Sequence, residues 1–199
     1  MSSDAHASAA GHGLVMSLPA GQGLPVDLVE RARRVRLVGF DVDGTLTDGR
    51  LVFDDAGRES KGFHVQDGLG LKLLEDAGIT VAIVTARESE AAKARARDLR
   101  LRHVFTAVKD KRACLGDLAA SLGFGLDHCA FFGDDLPDLG LFTALALAGA
   151  PADGHAWVRE RAHWVSTAGG GRGAAREFCD LILTAQGRRA AILAGYGAA

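Results

Sequence analysis

Cysteine is scarce in this chain. Three of its 199 residues are Cys (Cys114, Cys129, Cys179), an odd number, far apart and in no C-x-x-C arrangement. A disulfide scaffold and a structural zinc site are thereby disfavoured, and a reducing compartment is the simpler reading. A basic excess is also lacking: 23 Lys and Arg face 25 Asp and Glu, for a net charge of −2. A general nucleic-acid binder needs surplus cations for phosphate contacts, so none is expected. No run approaches the roughly 20 uncharged apolar residues that cross a bilayer, and the best stretch, 139–152, is short and holds Gly and Pro. The N-terminus shows no basic segment followed by an apolar one, so no secretory signal is legible. These absences describe a cytoplasmic protein with neither nucleic acid nor membrane as a partner. What the chain does have is apolar material, 48% of its residues, enough for a core in a length that suits one domain.

Residues 1–25 are rich in Ala, Gly and Ser, without a periodic apolar face, and read as a mobile arm before a single domain over 26–199. A helix is expected over 26–34, with Arg31, Arg33, Arg34 and the following Arg36 on a solvated face. From Val35 apolar runs alternate with helical stretches: strands at 37–40, 81–84, 103–105, 129–132 and 144–148, helices at 69–77, 89–99, 111–122, 136–142 and 174–185. Gly78 and Gly123 stand where helices stop. Repeated strand–helix units with short connections predict an α/β domain, a doubly wound, Rossmann-like parallel sheet covered on both faces. One interval breaks the rhythm. Two β-prone pieces, 51–53 and 62–65, flank Asp54-Asp55-Ala56-Gly57 and predict a β-hairpin flap, at about 48–66, beyond the first strand. Trp157 and Trp164 are expected to pack, and the scattered histidines outside the flap show no metal-ligand spacing.

The chemistry gathers where strands end. Asp41-Val42-Asp43-Gly44-Thr45-Leu46-Thr47 follows the first strand, and Gly133-Asp134-Asp135-Leu136-Pro137-Asp138 follows the strand at 129–132. Open α/β sheets bind ligands beyond the carboxyl ends of their strands. Carboxylates crowded there repel one another, and a divalent cation is their natural complement. An oxygen-only donor set, without His or Cys, selects Mg²⁺ over zinc. Thr85 follows the strand at 81–84 and offers a hydroxyl; Lys111 opens the next helix but one and offers positive charge. Taken singly, D-x-D-G is often a turn, G-D-D a helix cap, and Thr85 and Lys111 ordinary residues. Together and in order they make a phosphate-handling site.

These four stretches resemble, in order, the four motifs of the haloacid dehalogenase-like phosphohydrolases. Over about 35–186 the chain is similar, more narrowly, to the family of 3-deoxy-D-manno-octulosonate 8-phosphate phosphatases. FHVQDGLGLKLL, TARES, KDKRACLGDL and AGGGRGAAREFCDLILTAQG carry that likeness. The nonulosonate 9-phosphate phosphatases share much of the pattern. The resemblance implies Asp41 as the nucleophile that takes the phosphoryl group, and Asp43 as the acid and base. It implies Thr85 and Lys111 as binders of that group. Mg²⁺ would be held by the Asp41 and Asp134 carboxylates and the Asp43 backbone carbonyl. Asp135 and Asp138 would steer Lys111 or the metal's waters. No interval between the motifs is long enough for a large cap domain. The family is tetrameric, with flaps and C-terminal segments (here from about 169) meeting between subunits. Sugar-acid contacts would come from His64, Val65, Gln66, Asp67, Gly68, Lys72, Arg87, Arg95 and Arg172, serving lipopolysaccharide synthesis. Gln66 replaces a common Arg, His64 a common Asn, and T-A-R the frequent T-G-R. A non-catalytic module of the same fold is the rival reading, and it has no use for a nucleophile beside an acid.

Overall fold

The computed structural model describes residues 24–198, so nearly all of the expected N-terminal arm lies outside the described residues. α1 (Val26–Arg33) buries Leu28 and Ala32, four apart on one face. Its arginines do more than face water: Arg31 donates to the Ala146 carbonyl and Arg33 to that of Ala185. β1 (Leu37–Phe40) follows, then a hairpin of β2 (Val52–Phe53) and β3 (Glu59–Ser60). Next in the chain come α2 (Val65–Asp76), β4 (Thr80–Val84), α3 (Glu90–Asp98), β5 (His103–Phe105) and α4 (Lys111–Ser121). Then β6 (Cys129–Phe132), α5 (Leu139–Phe142), β7 (Leu147–Ala150), α6 (Ala156–Arg159), β8 (Trp164–Val165), α7 (Ala174–Ala185) and α8 (Arg189–Gly195) complete the order.

Six strands form one parallel sheet in the order β5-β4-β1-β6-β7-β8. From β1 the chain winds outward through β4 and β5, returns to β6 on the other side, and continues to β7 and β8. The winding therefore reverses between β1 and β6. In a sheet of this kind the crevice at that reversal, beyond the carboxyl ends, is the ligand site.

Side chains alternate across β1: Val38 and Phe40 enter one apolar layer and Leu37 the other. The first layer lies under α1, α2, α3 and α7, where the Phe132 and Phe178 rings stack 4.8 Å apart and Trp164 lies 5.8 Å from Phe178. The second lies under α4, α5 and α6 around Leu115, Phe131, Leu141 and Val158. Both faces are covered, which is why the central strands read as unbroken apolar runs.

The structure moves several boundaries. The hairpin's second strand is Glu59–Ser60, not 62–65, because the turn closes early. Asp54 Oδ1 accepts the N–H groups of Ala56 and Arg58, and Gly57 takes φ +76°. The residues expected in that strand lead instead into α2, which starts four residues before the expected position. The segment 136–142 is a 3₁₀ turn at Leu136–Asp138 followed by α5. β7 begins at Leu147 rather than 144. Trp164 packs, but Trp157 is 58% exposed and lies edge-on to His155.

Candidate active site

Asp41 is the first residue beyond β1, and its N–H bonds the Phe132 carbonyl of β6 at 3.0 Å. The chain then turns sharply: the N–H groups of Thr45, Leu46 and Thr47 all reach the Val42 carbonyl. Gly44 makes the turn at φ +82°, and a Cβ there would fall on the Asp134 carboxylate. Glycine thus lets the β6 loop approach the β1 loop. Thr45 Oγ1 closes the gap, donating to Asp134 Oδ1 at 3.0 Å. Register delivers the remaining partners. Phe40 pairs with Phe132 of β6 and Ile83 of β4, so Asp134 and Thr85 both come level with Val42. Thr85 is buried, and its Oγ1 accepts the Arg87 N–H at 3.3 Å.

Lys111, first residue of α4 behind its Asp110 N-cap, is aimed inward. Its Nζ lies 2.8 Å from Asp41 Oδ1 and 2.6 Å from Asp138 Oδ1, with the side chain 4% exposed. Burial pulls the ammonium's pKa down, but Asp41 and Asp138 outweigh it and hold the value above its ordinary one. Carboxylate oxygens of Asp41, Asp134 and Asp138 all lie within 4.8 Å of one another. Burial pushes the Asp41 carboxyl up, against the pull of Lys111. Burial, and then the charge of Asp41, push Asp134 up to about 7 and Asp138 up to about 6. Three carboxylates against one lysine leave a deficit of two positive charges. A divalent cation on oxygen donors fits that deficit. Asp138 Oδ1 already holds Lys111, and its Oδ2 accepts the Asp135 N–H at 3.3 Å. Asp138 is therefore the residue that holds the lysine, as expected of it, and Asp41 and Asp134 keep oxygens for a metal. Asp135 serves as the cap of the 3₁₀ turn.

Asp43 points to the hairpin. Its Oδ1 accepts from Lys61, and its Oδ2 lies 3.8 Å from Arg87 Nε, buried and without a hydrogen-bond partner among the described residues. Glu59 completes the group, bonded to Lys61 at 3.1 Å and to Arg87 Nη2 at 2.9 Å. Neither Lys61 nor Glu59 is singled out by the sequence, where a charged pair in a hairpin reads as a solvated strand end.

The other anticipated residues divide. Arg95 bonds Asp98 at 2.6 Å and reaches the His64 carbonyl at 3.5 Å. Gly68 is buried against the Arg95 guanidinium, which a Cβ would displace. Lys72 lies 3.9 Å from Asp76, while Val65 and Gln66 are exposed. Asp67, expected as a substrate contact, is engaged by its own chain. It is buried, and its two oxygens accept the N–H groups of Gly173 and Arg176 at 3.3 and 2.8 Å, so it caps α7. The glycine run before Arg172 is likewise engaged by its own chain. Cβ atoms at Gly170 and Gly171 would overlap the backbone of Gly44 and Thr47, and the Gly171 N–H bonds the Thr45 carbonyl at 3.0 Å. Gly170 N–H donates to Asp153 at 2.8 Å, so this segment braces the loop that carries Asp41 and Asp43.

A carboxylate cluster with a buried lysine, at the reversal point of an uncapped doubly wound sheet, matches the arrangement expected of a phosphohydrolase of the haloacid dehalogenase type. No protein-family model matches the chain. The 3-deoxy-D-manno-octulosonate 8-phosphate phosphatase of Yersinia pestis is 39% identical over 160 residues, 80% of this chain and 86% of that one. Its counterpart in Escherichia coli K12 is 37% identical over 162 residues, 81% and 86%. Among solved structures, a hypothetical protein of Xanthomonas campestris superposes with a TM-score of 0.86 at 54% identity, covering 90% of this chain and 99% of that one. The Moraxella catarrhalis 3-deoxy-D-manno-octulosonate 8-phosphate phosphatase, in complex with magnesium, phosphate and the sugar acid, superposes with a TM-score of 0.83 at 39% identity, covering 85% and 98%. The chain belongs to the 3-deoxy-D-manno-octulosonate 8-phosphate phosphatase family.

Proposed function

We infer that this chain is a Mg²⁺-dependent phosphomonoesterase that hydrolyses 3-deoxy-D-manno-octulosonate 8-phosphate to the free sugar acid and phosphate. The observation that carries the reading is the buried Lys111 between Asp41 and Asp138, beside Asp134, in a chain of this family. Asp41 is the nucleophile: a carboxylate oxygen attacks phosphorus in line as the bond to the sugar oxygen breaks, leaving an aspartyl-phosphate. Asp43 gives its proton to the departing sugar oxygen, then takes one from the water that cleaves the aspartyl-phosphate. Lys111 and Thr85 hold the transferring group, and Lys111 offsets the charge of Asp41 so that an anionic substrate can approach. The carboxylates of Asp41 and Asp134 and the backbone carbonyl of Asp43 would hold the metal. When bound, Mg²⁺ supplies positive charge against the carboxylates and the phosphoryl oxygens.

The sugar acid is read by His64, Val65, Gln66, Gly68, Lys72, Arg87, Arg95 and Arg172 in this proposal. Arg87 is supported by its place beside Asp43. The domain is uncapped, and the hairpin acts as a flap over the site. Leu51, Val52, Phe53, Val65 and Leu69 are exposed on the hairpin and the start of α2, which supports assembly as a homotetramer through that face. Among the described residues no helix is long and apolar enough to cross a membrane. A cytoplasmic step in lipopolysaccharide synthesis suits the substrate.

Phosphate release from a panel of sugar-acid phosphates, with Mg²⁺ and with EDTA, tests the function. Metal-dependent turnover that is fastest on the octulosonate 8-phosphate supports it. Faster turnover of a nonulosonate 9-phosphate reassigns the substrate, and no turnover on any member favours a non-catalytic module.

A further inference from the structure

Each aspartate of the pair has its own lysine. Lys111 serves Asp41 from the start of α4, and Lys61 serves Asp43 from the hairpin. Lys61 is no ordinary hairpin lysine: its side chain is 1% exposed, between Asp43 and Glu59. Burying an ammonium is expensive unless carboxylates surround it, so the pairing must be built into the fold. The four side chains close a ring of alternating charge. Asp43 meets Lys61, Lys61 meets Glu59 at 3.1 Å, Glu59 meets Arg87 at 2.9 Å, and Arg87 returns to Asp43 at 3.8 Å. The ring joins three segments: the loop after β1, the hairpin and the loop after β4.

We propose that Lys61 is a positioning residue for Asp43, and that the hairpin acts on the chemistry through this side chain. It rests on the assignment of Asp43 as acid and base. The Asp43 carboxylate stands on a turn, and the hydrogen bond to its Oδ1 comes from Lys61. Oδ2, buried and 3.8 Å from Arg87 Nε, has no hydrogen-bond partner among the described residues. Lys61 therefore fixes one oxygen and leaves the other to exchange a proton with the sugar oxygen. Glu59 holds Lys61 and Arg87 together, so the hairpin's position and the acid's orientation are set by the same contacts.

The test compares leaving groups in single turnovers with Mg²⁺ present. A sugar oxygen needs the proton from Asp43 to leave; the phenolate of p-nitrophenyl phosphate does not. Lys61→Met is expected to slow phosphorylation by the sugar-acid phosphate on the order of tenfold to a hundredfold, a part of what a general acid contributes. Phosphorylation by the aryl phosphate should change little. In an Asp43→Asn background Lys61→Met should add nothing further. Equal loss on both substrates, or a loss that multiplies in that background, overturns the proposal. If Lys61→Met fails to fold, Lys61→Gln keeps an amide donor and is read in the same cycle. Asp43→Asn alone separates the two layers. If it shows no leaving-group dependence, the acid assignment falls and the proposal with it. If it does and the Lys61 variants do not, the positioning role alone is refuted.

Discussion

The Lys111 ammonium lies 2.8 Å from Asp41 Oδ1, in a site where burial alone would push both groups toward their neutral forms. With Asp138 on its other side, the lysine keeps its charge and keeps Asp41 within reach of a substrate phosphate. Lys111→Met removes the ammonium that bonds Asp41 and Asp138. Turnover should fall by about 10²- to 10³-fold, the usual loss for one preorganised donor to a transferring group. Steady-state kinetics at saturating Mg²⁺ checks this, and a turnover within a few-fold of the parent would contradict it.

The carboxylate cluster gives the metal-free protein an unusual pH profile. Asp134 and Asp138 have folded pKa values of about 7 and about 6, above the ordinary 3.8. Between those limits the folded chain binds more protons than the unfolded one, so unfolding free energy falls as pH rises. The contribution is fully present below the ordinary carboxylate value and is lost as pH passes about 7. Thermal unfolding in EDTA should show a higher melting temperature at about pH 5.5 than at about pH 8. Asp134→Asn should flatten that difference. Mg²⁺ should raise the melting temperature most at the alkaline end, where its ligands are ionised.

Gly170 lies against the Gly44 carbonyl, with no room for a Cβ. Gly170→Ala should destabilise the fold by about 1–3 kcal/mol, the range for overpacking. It should also lower kcat, because the displaced loop carries Asp41 and Asp43. Urea denaturation and turnover on the same samples check both; an unchanged kcat would mean the brace does not set the loop.

Asp67 separates a structural from a substrate role. Asp67→Ala leaves two N–H groups at the start of α7 unpaired and should cost about 1–3 kcal/mol of stability. KM should stay near that of the parent. A raised KM with unchanged stability would return Asp67 to the substrate.

Much of this was legible in the sequence where structure depends on short runs. β1 and β6 begin and end where their apolar residues do, because a strand buried on both faces admits little else. Asp41, Asp134, Thr85 and Lys111 could be placed because each stands next to such a run or opens the following helix. The first turn of α2 was hidden, since Val65-Gln66-Asp67-Gly68 has no apolar periodicity and includes a glycine required by Arg95. β8 is two residues long, too short for alternation to show. Lys61 and Glu59 were invisible for another reason. Their partners lie 18 and 28 residues away, and nothing local marks a lysine as buried. The contact of Gly170 with Gly44 is equally remote, so the glycines read as a turn.

Acid quenching of a reaction on radiolabelled substrate, followed by mapping of the phosphorylated peptide, tests the central assignment most directly. Label is expected on the peptide that contains Asp41, absent in Asp41→Asn and in EDTA. Label on another residue, or sustained turnover by Asp41→Asn, would contradict it.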